Sequence, residues 1–254
     1  MHFVNEHIEQ AVKAVAHQYS HNAHEPPHSH IVTQLLHTVS GVINVETEVG
    51  HWIVPPGRGL WIPAGMIHSL RTIGVVEVKT LFIEPLARAD LPNQCQVYEV
   101  TALLRELIIQ AVNITSVSLK ESRESRIIEL ILDELRVLNT LDFHVPMPKE
   151  SSNLYDFCIK ISKRLDHPWS VSDASMLLKI SDKTVSRQFH QQLGLSFGEW
   201  LRRKRLLESM ELLAQGVNVI DAALAVGYES PSSFSSMFKS RVGASPTEYA
   251  SQLG

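Results

Sequence analysis

Hydrophobic positions recur at every second residue in the first third of the chain and at every third or fourth residue later on, so two kinds of structure are predicted in series. From about Val32 to Glu84 the segments TQLLHTV, GVINVETEV, HWIVPP, GLWIPA, HSLRT and VVEVKTLFIEP are short, rich in β-branched and aromatic residues, and separated by Gly and Pro. Many short strands punctuated in this way predict a small β-barrel. Between Val97 and Leu141 the period lengthens, and VYEVTALLRELIIQAV and SRESRIIELILDELRVL read as amphipathic helices split by residues 113–119. Leu103 and Leu107 line one face of the first. Ile127, Ile128, Leu130, Ile131, Leu135 and Leu138 give the second a face wider than one barrel contact needs. That face is expected to bury against the barrel or against the same helix of a second subunit. The following DFHVPMPKESS, with Pro146 and Pro148, breaks helix and reads as a linker.

Helical spacing returns after the linker, now broken by start and stop signals. SNLYDFCIKISKRL is an amphipathic helix. Ser170 with Asp173 opens VSDASMLL as a capping box, and Ser181 caps DKTVSRQFHQQL, which Gly194 ends. Ser196 and Glu199 box the start of SFGEWLRRKRLLESMELLA, which ends at Gly216, and Asn218 with Asp221 caps the next helix. Gly227 turns the chain out of that helix, Ser230 and Pro231 start another, Gly243 ends it, and Ser245, Pro246 and Glu248 box the last. Seven helices are thus predicted between 152 and 252. Two short helices around a tight turn occur twice, which is the helix-turn-helix layout. In the first pair Val185 and Phe189 face inward, leaving Lys183, Thr184, Ser186, Arg187 and His190 outward. In the second, Phe234 and Phe238 face inward, leaving Ser232, Ser233, Ser235, Ser236 and Lys239. Arg187 suits a bidentate guanine contact and Lys183 a base or phosphate, whereas serines contact phosphate or discriminate bases weakly. Most base specificity is therefore expected in the first head.

The string A-x-x-x-G-Y-x-S-x-S-x-F-x-x-x-F-K-x-x-x-G-x-S-P-x-x-Y, from Ala223 to Tyr249, resembles the signature of the AraC/XylS family of bacterial transcription regulators. The resemblance implies a sensing barrel, helices that dimerise, and a seven-helix DNA-binding domain with two reading heads. Promoter DNA, a second copy of the chain and RNA polymerase are the partners it implies.

Within the predicted barrel, His28-Ser29-His30, Gln34 and Gly41, then Gly57, Pro63, Gly65 and His68, resemble the two cupin motifs. Two His one residue apart on a strand point to the same side, and His68 can join them from a facing strand, so His28, His30, Gln34 and His68 form a candidate metal site. Gln34 stands where the motif has a carboxylate, and Thr72 where it often has Asn. A neutral Gln removes a negative charge, so the set suits Zn, Ni or Mn better than a catalytic iron. The alternative is a metal-free barrel whose His residues line a small-molecule pocket. His17, His21, His24, His37 and His51 have no spacing partner and are expected mostly at the surface, and Trp52 and Trp61 in the core or a pocket wall.

Charge changes the picture only when the chain is divided. Net charge is −4 overall, but residues 1–150 hold 11 Lys/Arg against 17 Asp/Glu (−6) and residues 151–254 hold 12 against 10 (+2). DNA affinity is then expected from local patches such as Arg202, Arg203, Lys204 and Arg205. Cys95 and Cys158 lack CxxC spacing, so both are expected as free thiols, and no apolar run reaches membrane-spanning length. A cytoplasmic protein without membrane contact follows.

The expected fold is α+β: a cupin barrel over 1–92, linking and dimerising helices over 93–143, and a DNA-binding domain over 150–254. The expected function is transcription regulation in response to a small molecule or divalent metal. The competing class is a metal-dependent cupin enzyme of dioxygenase or isomerase type. Against it, the carboxylates nearest in sequence, Glu25 and Glu46, have no defined relation to the His cluster, so no catalytic residue is assigned.

Overall fold

The computed structural model describes residues 10–114 and 121–253. Residues 115–119 of the predicted helix break lie outside that range. The chain divides into two compact units, one of residues 1–45 and 54–141, the other of residues 46–53 and 142–254.

The first unit is built on a sheet whose strands run β1 (Val12–Tyr19), β6 (His68–Ile83), β3 (Thr33–Thr47), β5 (Arg58–Ile62), β7 (Gln96–Glu99) and β8 (Thr140–Leu141), with β2 (His24–His28) paired to β6. β1 and β2 precede the segment read as strand. Val12–Tyr19 carries a weaker, half-exposed alternation that composition alone does not raise above background. TQLLHTV and GVINVETEV are one strand, β3, because Gly41 absorbs the break at φ +70°. A Cβ there would stand 2.7 Å from the Val75 carbonyl oxygen, so only glycine fits. Likewise HSLRT and VVEVKTLFI fuse into β6 through Gly74 at φ +77°.

The stretch VYEV, read as the start of a helix, is strand instead. Val97 pairs with Leu60 and Tyr98 with Gly59, and the helix starts only where Thr101 accepts from the Leu104 N–H. Helix α1 (Ala102–Ala111) and α2 (Arg123–Leu135) then pack into the same core as Leu35, Trp61, Leu81 and Ile83. Ile127, Ile128, Ile131 and Leu135 are buried there, so the wide apolar face of α2 is used within the unit. Leu103, expected beside Leu107 on an inward face, is 48% exposed, and Leu130 is 39% exposed.

In the second unit, the stretch read as a linker is partly structured: Phe143 and Val145 are buried, and β9 (His144–Pro146) pairs with β4 (Gly50–Val54), Gly50 opposite Pro146 and Trp52 opposite His144. Trp52 stacks on His144 with ring centroids 4.4 Å apart. Seven helices follow among the described residues: α3 (Asn153–Ser162), α4 (Val171–Leu178), α5 (Asp182–Leu193), α6 (Phe197–Ala214), α7 (Val219–Ala225), α8 (Pro231–Val242) and α9 (Pro246–Ser251). Their limits follow the caps. Ser170 and Ser245 form reciprocal capping boxes, Gly194 and Gly243 close α5 and α8 in the left-handed region, and Trp200 of α6 donates from Nε1 to the Pro146 carbonyl oxygen at 2.8 Å. At Ser196 the box is incomplete, because the Glu199 carboxylate is taken by arginines instead.

Candidate functional site

Two sites emerge, one in each unit. In the first, the antiparallel pairing of β2 with β6 sets His28 directly across from His68. His30 lies just beyond β2, held where the Gly65 N–H donates to its carbonyl oxygen at 2.7 Å. The imidazole centroids are 4.3 Å (His28–His68), 4.9 Å (His28–His30) and 5.3 Å (His30–His68) apart, and one nitrogen from each lies within 4.8 Å of the others. Backbone carbonyls orient two of the rings. His28 Nδ1 is 2.8 Å from the Pro26 oxygen and His68 Nδ1 is 3.0 Å from the Met66 oxygen, which makes Nδ1 the donor and leaves each Nε2 lone pair available. His68 Nε2 and Gln34 Oε1 are both buried without a hydrogen-bond partner. Burial holds the His68 ring neutral, its pKa pulled down to about 4 despite the Met66 contact.

His28, His30 and Gln34 open into a small cavity of about 30 Å³, whose apolar wall is Val15, Leu70, Val78 and Phe82 and whose polar lining is His17, Tyr19, Glu25 and Thr80. Burial, with the Glu25 charge nearby, pushes the Tyr19 phenol up to about 12, so it lines the cavity as a neutral hydroxyl. His17 therefore belongs to the cavity, and His37, expected at the surface, is 1% exposed with Nδ1 3.1 Å from the Arg58 carbonyl oxygen. The signal for His37 was its place between Leu36 and Thr38 in a continuously buried strand. Thr72, in the position of the motif's Asn, braces the backbone. Its hydroxyl donates to the Ser20 oxygen at 2.8 Å and accepts from the Ala23 N–H at 2.9 Å, fixing the turn between β1 and β2. Trp52 and Trp61 are core residues, neither lining the cavity.

In the second unit, α4 and α5 form one helix-turn-helix and α7 and α8 the other, with α6 between them in sequence. Val185, Phe189, Phe234 and Phe238 are fully buried. Lys183, Ser186, Arg187 and His190 are exposed on α5 and Thr184 is half-buried at its first turn; on α8, Ser232, Ser233, Ser236 and Lys239 are exposed and Ser235 is half-buried.

The Arg202-Arg203-Lys204-Arg205 run is not the open basic patch its sequence suggested. Arg205 donates from Nη2 to the carbonyl oxygens of Leu165 (3.0 Å) and His167 (2.8 Å) and packs over the Tyr228 ring. Arg203 pairs with Asp142 and Glu199, and Lys204 with Glu208. Arg202 alone of the four is exposed, and it too contacts Glu199, at 3.0 Å. The Glu199 and Glu208 acceptors lie three or four residues away on the same helix, where helical spacing offers them, but Asp142, Leu165 and His167 come from distant parts of the chain that the spacing of α6 could not reveal.

Comparison with known proteins decides what this pair of sites belongs to. Residues 12–135 match the model of the AraC-like ligand binding domain, and residues 175–252 match a helix-turn-helix domain model. The chain belongs to the AraC family of transcriptional regulators. Among its relatives, the HTH-type transcriptional regulator NimR of Escherichia coli K12 is 29% identical over 97% of this chain and 90% of its own length. The HTH-type transcriptional activator AarP of Providencia stuartii is 31% identical over 39% of this chain and 75% of its own. Among solved structures, ToxT of Vibrio cholerae aligns over 96% of this chain and 99% of its own at 13% identity and a TM-score of 0.42. This AraC-family regulator thus couples an AraC-like ligand-binding domain to a helix-turn-helix domain, and these relatives are named as transcriptional regulators. Among the described residues no helix is long and apolar enough to cross a membrane.

Proposed function

We propose that this regulator works in the cytoplasm on promoter DNA, that α5 supplies most of its sequence reading, and that its effector enters the His-lined cavity beside a bound divalent metal. His28, His30 and His68, with the Gln34 carbonyl oxygen, form the donor set. Zn, Ni or Mn suits three neutral imidazoles and an amide oxygen better than a metal that needs several carboxylates. The observation that carries the metal reading is the orphaned, buried Nε2 of His68, aimed at neighbouring imidazoles by a carbonyl on its far nitrogen. A tetrahedral Zn site needs nitrogens roughly 3.4 Å apart, given bond lengths of about 2.0–2.1 Å. Small side-chain rotations bring the three rings there from within 4.8 Å.

Bound metal supplies a positive charge at the end of the cavity, to which an effector's oxygen or nitrogen can bind. The cavity continues past the His cluster along an apolar wall, which favours an organic effector over the metal itself as the signal. The exposed Leu103 and Leu130 on α1 and α2 support a homodimer contact through those helices. RNA polymerase is the further partner expected of a promoter-bound regulator.

Elemental analysis of the purified protein tests the metal, with His68→Ala as control. Unchanged metal content in that variant removes His68 from the site. Gel shifts of the full chain test the reader: Arg187→Ala should weaken operator binding far more than binding to random DNA, and equal weakening of both would reject α5 as the reader.

A further inference from the structure

The two recognition helices can be compared residue by residue, because they share one frame. Moving 49 positions along the chain carries Ser181 onto Ser230, both N-caps that accept from the third residue ahead, Thr184 and Ser233. The same step carries the left-handed Gly194 onto Gly243 and the buried trio Val185, Phe189 and Leu193 onto the buried trio Phe234, Phe238 and Val242. Equal caps and equal buried positions mean that each helix is turned about its own axis by the same amount relative to its own core. A residue two places from a buried one lies about 200° around a helix, on the far side from the core. That stripe is Lys183, Arg187 and Gln191 on α5, and Ser232, Ser236 and Ser240 on α8, all six exposed.

We propose that Gln191 is a third base-reading residue of the first head, and that the difference in reading between the two heads lies in this one stripe. The inference rests on the assignment of α5 as the main reader and goes beyond it. Lys183 and Arg187 carry donors that match the two acceptors of guanine in the major groove, while the Gln191 amide carries one donor and one acceptor, the pattern that pairs with adenine. Eight residues of helix span about 12 Å, or between three and four base pairs. The first head's segment should therefore hold guanine toward the end met by Lys183 and Arg187, and adenine toward the end met by Gln191. Three hydroxyls at the matching positions of α8 are short and can donate or accept, so they fix no base identity.

Selection of duplexes from a randomised pool by the full-length protein, followed by sequencing of the bound fraction, tests this directly. Gln191→Ala should relax the preference at one base pair, at the edge of the first segment, by on the order of ten-fold while the other positions hold. The transplant Ser232→Lys, Ser236→Arg and Ser240→Gln, all on an exposed face, should create a second preferred segment that copies the first. It should lie roughly one helical turn away, about 10–10.5 base pairs. If Gln191→Ala leaves every preference intact, or the transplant adds none, the stripe does not hold the code and the inference is wrong even though the parent still selects an operator. If the unaltered protein selects no sequence at all, the reading of α5 as a specific head fails with it. Circular dichroism and retained salt-dependent binding to random DNA confirm that each variant is folded.

Discussion

Arg241, in the last turn of α8, reaches back to Glu199, in the first turn of α6, with Nη2 3.1 Å from the carboxylate. The same carboxylate holds Arg202 and Arg203, and Asp142 adds a second acceptor for Arg203. The second recognition helix is thereby tied to the helix that precedes its head in sequence. Burial of Glu199 pulls its pKa up, but hydrogen bonds from Arg241, Arg202 and Arg203 and the Arg241 charge outweigh burial and hold it below its ordinary 4.5. The stabilisation is thus present above the unfolded-state pKa and is lost as pH falls through the lower folded value. Glu199→Gln should cost about 1–2 kcal/mol near neutral pH, since three guanidinium groups lose a shared, mostly buried anion. Urea unfolding at pH 7 and pH 3.5 checks this: the gap between variant and parent should shrink at the lower pH.

Gly227 and Gly243 both sit at positive φ, +80° and +87°, yet they should respond differently to alanine. At Gly243 an added Cβ meets nothing within 4 Å, so only the left-handed backbone is penalised, at about 1–2 kcal/mol. At Gly227 the same atom would stand 2.6 Å from Arg205 Nη2 and 2.6 Å from the Leu165 carbonyl oxygen. Relief would break the hydrogen bonds by which Arg205 ties α6 to the end of the segment after α3. Gly227→Ala is expected to cost at least about 2 kcal/mol more than Gly243→Ala. Thermal unfolding of the two variants side by side decides it, and equal losses would show that Arg205 is not fixed.

The contrast between these glycines also shows what the sequence could reveal. Caps, turns and inward-facing pairs act within a few residues, and in the DNA-binding half they set nearly every boundary: α5 begins at Asp182 and ends at Leu193 as Ser181 and Gly194 dictate. In the His cluster, strand pairing sets His28 across from His68 as the spacing suggested, but His30 lies past the end of β2 and reaches the cluster from a loop whose carbonyl accepts from the Gly65 N–H, not from a shared strand face. What sequence could not show depends on partners far along the chain. VYEV became strand because β5 offered a free edge, and the Arg203 and Arg205 side chains were drawn from solvent by Asp142, Leu165 and His167.

Gln34 offers a direct test of the metal site. Its carbonyl oxygen is buried and unpartnered among groups that open on the cavity, in the position where a carboxylate would add charge to the donor set. Gln34→Glu keeps the length and shape of the side chain and supplies an anion to a divalent ion. Metal affinity should rise by on the order of ten-fold or more, measured by competition with a chromogenic chelator. In metal-free protein the same change should destabilise the fold by about 1–3 kcal/mol, because a buried carboxylate without a counter-charge must be desolvated or protonated. Opposite effects with and without metal distinguish a ligand position from an ordinary buried polar residue, for which the variant would be destabilised in both.

His144 predicts an acid-sensitive second unit. Its ring stacks on Trp52, and its pKa falls to about 4, chiefly through burial and then through the Arg203 charge, with the Val49 carbonyl and Asp142 opposing and His51 adding a further lowering contribution. The folded state therefore keeps the ring neutral while the unfolded chain takes up a proton near its ordinary 6.5. Stability from this residue is complete above that value, falls as pH drops below it, and stops falling once the folded ring also titrates near 4. A difference of roughly two and a half units corresponds to about 3 kcal/mol across the interval. His144→Phe preserves a ring against Trp52 and removes the proton site, so its unfolding free energy should decline less than the parent's between pH 6.5 and 4. Denaturant titrations at half-unit steps across that range provide the measurement, and parallel curves for parent and variant would show that His144 does not set the slope.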